Sequence, residues 1–442
     1  MHKPGRQVEM ADNTLACGLN QEGLVANEGV RRANVDTDRL WRRHMEMAEL
    51  GATAKGGVNR AALTPTDIEV HVRLAEWARA RDFTVEIDAY GNQFMRRAGT
   101  DANAAAVASG SHSDTQPTGG RFDGISGVLS AVEALEIIDA AGIATRHPLE
   151  AVIWNNEEGT RFSPTNLGSA VYVGTAPIDA MLAATDGDGV TMEAAVRALR
   201  EAIAWAETRE LKAPMAAFVE SHIEQGPELE SEGLNIGVVT AIQGTRKLEI
   251  EVIGDEAHAG TTPERLRRDA FVDAVQIVSA LRDLFHDPDD IMRFTIGRFE
   301  VSPGALAVVP GHVFFTIDIR HPDNATLARL GDQIDSICKA AASRCDVRVV
   351  ETRRAESTPF SGAVPEAIET ATKERGYSYK RMPSGAGHDA RYVSNICPSG
   401  MVFIPCEHGL SHNERENTTP EDLARGAQVI ADTLLILDEL LQ

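Results

Sequence analysis

Histidine and carboxylate side chains gather in short segments that follow apolar, strand-like stretches of this chain. Residues 111–124 read SHSDTQPTGGRFDG, a run that holds His112, Asp114 and Asp123 and is too rich in Gly, Pro and Thr for regular helix or strand. Three later segments, WNNEEG, SHIEQG and GLSHNE, add Glu157, Glu158, His222 and His412. Imidazole and carboxylate together suit borderline divalent ions such as Zn, Mn, Co or Ni. The set therefore predicts a hydrolytic metal centre.

The number of candidate ligands favours two metal ions over one. The five candidates are His112, Asp123, Glu158, His222 and His412. One catalytic Zn usually takes about three protein ligands, and a carboxylate can bridge two ions, the role that we assign to Asp123. Asp114 is placed to accept the free ring N–H of His112. With Glu158 bound to metal, Glu157 is free to act as general base for the attacking water.

Each of these residues, taken alone, is more often an ordinary surface group, so the prediction depends on the whole set. The elements that must bring the set together follow an α/β pattern. Helical periodicity covers residues 36–50 and 64–82, a hairpin signal lies at Gly91-Asn92, and an apolar strand ends at Gly110. Nearly continuous apolar strands that alternate with helices predict a mostly parallel central sheet flanked by helices. Parallel strands place their carboxyl ends at one edge, where such a site forms.

From about residue 243 the pattern changes to βαββαβ, a ferredoxin-like order with a helix over 263–286 and a single helix over 325–344. The interpretation is one α/β catalytic domain that is interrupted by a smaller inserted domain. The predicted boundaries are a flexible leader at 1–35, catalytic segments at 36–242 and 357–442, and the insertion at 243–356. Met10 is an alternative start within the leader.

Composition excludes several classes of partner. The formal net charge of -23 argues against nucleic acid and against an anionic membrane surface. No stretch approaches the roughly 20 apolar residues of a membrane span, and the first 35 residues lack the apolar centre of a secretory signal. The 5 cysteines form no CxxC pair, which favours a reducing cytoplasm over a disulfide framework.

Six motifs in order resemble the M20 metallopeptidase-like family, from about residue 37 to 440. They read GSHSDTQPTGGRFDGISGV, NNEEGTRF, ESHIEQGPELE, AHAGTTP, PSGAGHDA and GLSHNE. More narrowly, they resemble its branch of N-carbamoyl-L-amino-acid hydrolases, allantoate amidohydrolases and β-ureidopropionases. The resemblance implies a two-metal site with His112 and His222 as terminal ligands, a bridging Asp123, and Glu158 and His412 completing it. It also implies Glu157 as general base.

The same resemblance implies that the 243–356 insertion is a lid and dimerisation domain of a homodimer that closes over its substrate. In the wider family the lid supplies a histidine, often from the neighbouring subunit, that stabilises the oxyanion, and His258 of AHAGTTP occupies that place. A donor on a mobile domain can complete such a site only on closure. His258 would otherwise be interpreted as a solvated histidine at a strand end.

Substrate contacts carry over from the family less evenly. Gln225 matches a residue that hydrogen-bonds the ureido or amide group, and Arg320 matches the arginine that clamps the substrate carboxylate. An arginine that ends an alternating strand can equally be a surface residue. Gly385 matches a backbone contact to the same carboxylate, and Arg246 is a further substrate-binding candidate.

Three positions in the lid depart from the family pattern, whereas the metal motifs are intact. Ala307 stands where asparagine is usual, Thr245 where glutamine is common, and Glu264 where methionine is usual. We therefore expect hydrolysis to be retained with an altered substrate preference.

The predicted reaction cleaves the ureido C–N bond of an N-carbamoyl-L-amino acid, giving the amino acid, carbon dioxide and ammonia. Allantoate, another ureido acid or an N-acyl amino acid stay open as substrates. A non-catalytic metal-binding homologue is the alternative from a different class.

Overall fold

A computed structural model describes residues 33–441 of the chain. The leader predicted for residues 1–35, except its last residues, and the alternative start at Met10 lie outside the described residues. Among the helices of residues 33–441, none has both the length and the apolar composition that a bilayer crossing requires. Cys338, Cys345, Cys397 and Cys406 are free thiols. The cytoplasmic location stays a prediction.

Strands and helices alternate along most of the described chain. The strands are β1 (Thr84–Ile87), β2 (Gln93–Arg97), β3 (Ala106–His112), β4 (Leu149–Trp154), β5 (Glu207–Thr208), β6 (Met215–Ile223), β7 (Ile236–Ile242), β8 (Gly244–Ile253), β9 (Ala257–His258), β10 (Arg293–Ser302), β11 (Val308–Val309), β12 (His312–His321), β13 (Asp346–Ala355), β14 (Thr358–Pro359), β15 (Tyr379–Ser384) and β16 (Ser399–Ile404). The helices are α1 (Thr37–Glu49), α2 (Pro65–Arg79), α3 (Ile125–Ala140), α4 (Leu167–Tyr172), α5 (Ile178–Leu182), α6 (Met192–Ala202), α7 (Glu228–Glu232), α8 (Ala270–Leu284), α9 (Asn324–Gly331), α10 (Ile334–Ala341), α11 (Ala363–Glu374), α12 (Ala390–Val393) and α13 (Pro420–Leu440).

The central sheet has the strand order β14-β7-β16-β6-β3-β4-β2-β1-β5, with β15 paired to β7. Its four middle strands, β16, β6, β3 and β4, run parallel, as the sequence predicted. Every residue of β3 and β4 is buried, because helices cover both faces of the sheet. Alternate residues of β4 belong to two different hydrophobic clusters, Ile153 to one and Trp154 to the other. The middle strands are therefore packed on both faces, and their carboxyl ends share one edge.

Helix starts and turns in the first third follow the sequence signals. Thr64 caps α2 by accepting a hydrogen bond from the backbone N–H of Asp67, and Asp36 caps α1 in the same way. β1 and β2 form the predicted hairpin across Gly91 and Asn92. The strands β1 and β2 lie in the outer part of the central sheet, on the side away from β16.

The inserted segment confirms the predicted βαββαβ order. Four antiparallel strands lie in the order β10-β12-β8-β13, and α8, α9 and α10 pack with them around a separate hydrophobic cluster. This unit spans residues 244–355, inside the predicted 243–356. Contacts group all residues from 33 onward in one unit, so the domain boundaries stay a prediction.

Two helices of the insertion differ from their predicted extents. The helix predicted over 263–286 begins only at Ala270, because Asp269 caps it by accepting from two backbone N–H groups. The single helix predicted over 325–344 is broken into α9 and α10. At the break the guanidinium of Arg246 binds the carbonyl of Ala328 and the carboxylate of Asp332, and thereby occupies the carbonyl end of α9.

Candidate functional site

Candidate ligands lie at or just after the carboxyl ends of the four middle strands. β3 ends at His112, later than the sequence predicted, so this histidine belongs to the strand and not to the loop. His222 is the penultimate residue of β6, and the turn after β4 holds Glu157 and Glu158. His412 lies in the loop that follows β16. The parallel sheet therefore brings distant parts of the sequence to one edge.

Asp123 lies between two groups of side chains. His112 Nε2 and His222 Nε2 are 3.6 Å and 3.1 Å from its Oδ1. On the other side His412 Nε2 lies 3.4 Å from Asp123 Oδ2 and 3.7 Å from Glu158 Oε2. In each group the potential ligand atoms all lie within 4.8 Å of one another. The geometry thus provides two three-residue groups that share one carboxylate.

Hydrogen bonds to backbone carbonyls orient the two buried histidines. His112 Nδ1 donates to the carbonyl of Asp114 and His222 Nδ1 to that of Ile223, both at 2.9 Å. Since a carbonyl only accepts, each ring in its neutral form presents a bare Nε2 lone pair to Asp123 Oδ1. Two imidazole nitrogens and a carboxylate oxygen that face one another in this way form a donor set that fits a divalent metal ion.

Gly124 permits the close approach of Asp123 and His112. Its φ of +66° lies in the left-handed region, where glycine carries no steric penalty. A Cβ atom at this position would also collide with the His112 ring. The glycine turn just before α3 is therefore part of the construction of the site.

Glu157 is buried beside the two ligand groups. Its Oε2 is 3.7 Å from His112 Nε2, and its Oε1 accepts a hydrogen bond from Asn166 Nδ2. Burial raises the pKa of Glu157 well above its usual range, and the nearby charge of Glu158 adds to this, while His112 opposes it. A carboxylate with a raised pKa is better able to hold a proton that it takes from water.

The sequence predicted that the Asp114 side chain accepts the ring N–H of His112, but in the structure the backbone carbonyl of Asp114 does so. His112 donates to its backbone carbonyl, while its carboxylate Oδ1 is 3.7 Å from the same ring nitrogen. The carboxylate instead accepts from the backbone N–H groups of Glu157 and Glu158, each at 3.1 Å. Burial raises the pKa of Asp114 to about 7, and the positive charge of His112 opposes this. Asp114 thus holds the turn that carries the two glutamates.

Replacing Asp114 by asparagine is expected to lower metal affinity about 10- to 100-fold, the usual effect of losing a group that orients ligands. An amide keeps the size of the side chain, but its NH₂ cannot accept from either backbone N–H. Chelator competition measures the affinity, and Asp188→Asn, at an exposed loop position, is the matched control. Unchanged affinity in Asp114→Asn would contradict this role.

A cavity of about 330 Å³ joins the ligand groups to the inserted segment. Gln225, Arg320 and Gly385, three of the predicted substrate contacts, line it together with the candidate ligands. Gln225 Nε2 donates to Asp123 Oδ2 at 3.0 Å. Arg320 Nη1 donates to the carbonyl of Gly385 at 2.6 Å, and the rest of its guanidinium pairs with Asp318. The cavity therefore has a metal-ligand end and a basic end.

The family of this chain follows from its sequence as well as from the geometry. The model of Peptidase family M20/M25/M40 matches residues 108–436, which is most of the chain and includes every residue of both ligand groups. The chain belongs to this family. M20 enzymes generally depend on two metal ions, which agrees with two ligand groups that share a carboxylate.

Individual M20 relatives are similar over nearly the whole chain. An N-carbamoyl-L-amino-acid amidohydrolase of Rhizobium meliloti is 38% identical over 413 residues, 92% of this chain and 98% of the relative. A ureidoglycolate hydrolase of Arabidopsis thaliana is 33% identical and covers 91% and 86%. The crystal structure of an amidase of the hydantoinase/carbamoylase family from Burkholderia multivorans has a TM-score of 0.87 at 43% identity and covers 91% and 98%.

The structure does not bring Arg246, a predicted substrate contact of this M20 chain, to the cavity. Its buried guanidinium pairs with Glu351 at 2.8 Å and with Asp332 at 2.7 Å. Strand side chains alternate between the two faces of a sheet, so Thr245 and Lys247 face the cavity while Arg246 faces the helices. Because Arg246 is adjacent to Thr245 in β8, its side chain projects from the opposite face of the sheet, towards the helices.

His258 is exposed in β9 and does not line the cavity in the described part of the chain. Its Nδ1 accepts from the backbone N–H groups of Gly260 and Thr261, at 3.0 Å and 3.2 Å. These two donors fix the neutral ring with its proton on Nε2. The ring is thereby prepared to donate a hydrogen bond, although within this chain no ligand group is beside it.

Two polar residues that support Asp123 were not among the predicted site residues. Ser411 Oγ lies 3.1 Å from Asp123 Oδ2 and 3.0 Å from Glu416 Oε2. Glu416 also accepts from the backbone N–H groups of Phe122 and Asp123. Burial raises the pKa of Glu416 to about 8, and the negative charge of Asp123 adds to this. The closeness of both residues to His412 in the sequence is a signal that could have found them.

Two further residues were present in the recognised motifs but were not assigned a role. Gln116 donates through Nε2 to Glu158 Oε2 at 2.6 Å. His388 is buried, with its ring centre 4.7 Å from that of His222 and its Nε2 2.8 Å from Ser384 Oγ. Both residues restrain a candidate ligand, and only their contacts in the folded chain show which one.

Proposed function

We propose that this M20-family chain hydrolyses the ureido C–N bond of N-carbamoyl-L-amino acids, giving the amino acid, carbon dioxide and ammonia. The observation that carries the proposal is the pair of ligand groups that share Asp123, with Glu157 beside them in one cavity. The substrate class is supported by the relative named for this activity, which is 38% identical over 92% of the chain.

The proposed cofactor is a pair of divalent ions, Zn, Mn, Co or Ni, in the two ligand groups. His112, Asp123 and His222 would hold one ion, and Asp123, Glu158 and His412 the other. When bound, such a pair supplies Lewis acidity and lowers the pKa of the attacking water to about 7. Affinity order and metal availability together decide which element is present in the cell.

The proton transfers of the reaction are assigned to Glu157. Its carboxylate takes a proton from the attacking water and then delivers that proton to the leaving amine. Asn166 holds one oxygen of the carboxylate and leaves the other, near His112, for this exchange. Burial beside Glu158 favours the protonated form, which lets Glu157 act as the acid of the second step.

Substrate recognition is assigned to the basic end of the cavity. Arg320 and the backbone of Gly385 would hold the α-carboxylate, the task for which a planar guanidinium is suited. Gln225, whose amide already lies against Asp123, would hydrogen-bond the ureido group. The cavity thus positions the scissile bond between its two ends.

We infer a homodimer that forms through the 243–356 segment and closes over the substrate. Exposed apolar side chains on α8 support this inference, since Phe271, Val272 and Val275 are 43%, 49% and 49% exposed. On closure His258 of the same or the neighbouring chain would donate from Nε2 to the oxyanion. Sedimentation equilibrium tests the dimer, and a mass of one chain at micromolar concentration would contradict it.

Two features keep related substrates in consideration. The Arabidopsis thaliana relative is named as a ureidoglycolate hydrolase, so another ureido acid is the second candidate. Ala307 is exposed and its carbonyl accepts from the backbone N–H of Ala259, next to His258, so the position where asparagine is usual lies beside the proposed oxyanion donor. We propose that this departure shifts preference among substrates.

A panel of substrates tests the proposal on metal-loaded protein. Ammonia release is measured with N-carbamoyl-L-amino acids, allantoate and ureidoglycolate, and free amino acid release is measured with N-acetyl-L-amino acids. We expect the highest kcat/KM with an N-carbamoyl-L-amino acid. Release of amino acid from the N-acetyl set alone would contradict the ureido assignment.

A further inference from the structure

The basic end of the cavity carries more positive charge than one substrate carboxylate requires. Lys247, Arg320, Arg353 and Arg391 all line the cavity that holds the ligand groups. This concentration of cations stands out in a chain whose formal net charge is -23. Arg320 is assigned to the α-carboxylate, which leaves three cations of the wall without a role in the proposed reaction.

Carboxylates of the protein neutralise only part of this wall. Asp318 serves both Arg320, at 2.9 Å from Nη2, and Lys247, at 3.5 Å from Nζ. Arg354 pairs with Glu351 at 2.7 Å, whereas its neighbour Arg353 pairs with no carboxylate anywhere in residues 33–441. Arg353 is exposed to the cavity and is available to an anion from solvent.

Strand register places two of the cations opposite each other. In the antiparallel pair of β13 and β8, Arg353 is the partner of Lys247. Like charges at directly opposite positions destabilise a sheet. The register of β13 shifts between Glu351 and Arg353, an irregularity of the kind that re-aims side chains beside a binding site. The repulsion would be relieved by an anion that binds between the two side chains.

Arg391 is held by neutral backbone carbonyls, which do not compensate the positive charge of its guanidinium. Its Nη1 donates to the carbonyl of Glu356 at 2.7 Å and its Nη2 to that of Gln243 at 2.8 Å. Burial lowers the pKa of this guanidinium, and the positive charges of Arg353 and Arg320 add to the effect. The three guanidinium groups therefore repel one another across a shared cavity.

We propose that the preferred substrate is an N-carbamoyl-L-amino acid whose side chain bears a second carboxylate, held by Arg353 and Arg391 while Arg320 holds the α-carboxylate. The inference rests on the proposed function and names the substrate class for the same site. A carboxylate between two guanidinium groups gains charge-assisted, bidentate hydrogen bonds and removes their mutual repulsion. Lys247 adds a further positive charge to the same wall.

The test compares two substrates of nearly identical shape. N-carbamoyl-L-glutamate bears a second carboxylate on its side chain, whereas the side chain of N-carbamoyl-L-glutamine is a neutral amide. We expect kcat/KM to be at least about 10-fold higher for the glutamate derivative, in line with a hydrogen bond to a charged group. In Arg353→Met the ratio of the two kcat/KM values is expected to fall by about 10-fold or more. Arg348→Met, on the same strand but exposed and paired with Glu251, should leave the ratio unchanged.

Three results would overturn the inference in distinguishable ways. Equal kcat/KM values for both substrates would mean that the wall recognises no second carboxylate. An equal rise of KM for both substrates in Arg353→Met would mean that Arg353 holds the α-carboxylate that they share. No ammonia from either substrate, nor from any other N-carbamoyl-L-amino acid, would overturn the proposed function, and this inference with it.

Discussion

Replacing Glu157 by glutamine is expected to lower kcat about 10²- to 10⁴-fold, the usual contribution of a general base. The amide keeps the volume of the side chain and can still accept from Asn166, but it cannot take a proton from water. Because Glu157 belongs to neither ligand group, the variant should keep its metal content. Steady-state kinetics and metal analysis of the same preparation measure both effects.

The control for this substitution is Glu193→Gln, at an exposed position at the start of α6. It makes the same chemical change away from the cavity and should leave kcat as it is in the parent chain. Near-normal turnover by Glu157→Gln would rule out Glu157 as the base. Loss of metal together with loss of turnover would instead make Glu157 a ligand.

Replacing Asp123 by asparagine is expected to remove both metal ions and to lower kcat by at least about 10³-fold, since the ions supply several kcal/mol of transition-state stabilisation. The reason is geometric, because Asp123 is the one residue that the two groups share. His412→Ala, in contrast, removes a ligand from a single group and should retain one ion per chain. Metal content by mass spectrometry after gel filtration compares the two variants with the parent.

The pattern of metal loss is the decisive result for the shared carboxylate. Loss of only one metal ion in Asp123→Asn, as in His412→Ala, would mean that the two groups do not share a ligand. Full metal retention in Asp123→Asn would place the ions elsewhere in the chain. Circular dichroism of each variant separates loss of metal from loss of fold.

The strand-end location of the ligand residues could be predicted from the sequence. His112 and His222 follow long apolar runs, and parallel strands in an α/β sheet end at a common edge. His412 and Glu158 lie in loops after such strands, so the same rule applies to them. The convergence itself required the strand order β16-β6-β3-β4, which local patterns do not specify.

Side-chain contacts within the insertion were harder to predict. The alternating burial of β8 shows that neighbouring residues face opposite ways, yet which face meets the cavity depends on how the sheet is docked. The side chain of Arg246 therefore faces the helices, where it binds Asp332 at the end of α9. The helical periodicity of the sequence did not reveal the break between α9 and α10. The cation pair of Arg353 and Lys247 depends on the register of two strands about a hundred residues apart, and a single sequence does not show it.

The contacts of some polar side chains in and near the motifs were also not predicted correctly from the sequence. The sequence favoured the Asp114 side chain as an acceptor for His112, because it lies two positions further along the chain, but the backbone carbonyl of Asp114 takes that hydrogen bond. Its carboxylate instead accepts from the backbone N–H groups of the two glutamates, a choice of partner that depends on the docking of β3 beside β4. Ser411 and Glu416 likewise acquire their roles only when the loop after β16 folds over Asp123.

The most direct test of the central claim, metal-dependent ureido hydrolysis, is ammonia release from N-carbamoyl-L-amino acids by protein that has been stripped of metal and then resupplied with Mn, Co or Zn. We predict no ammonia from the stripped protein, with release restored as the added metal approaches two ions per chain. Full activity in the stripped protein, or no release with any of the three metals, would contradict the account.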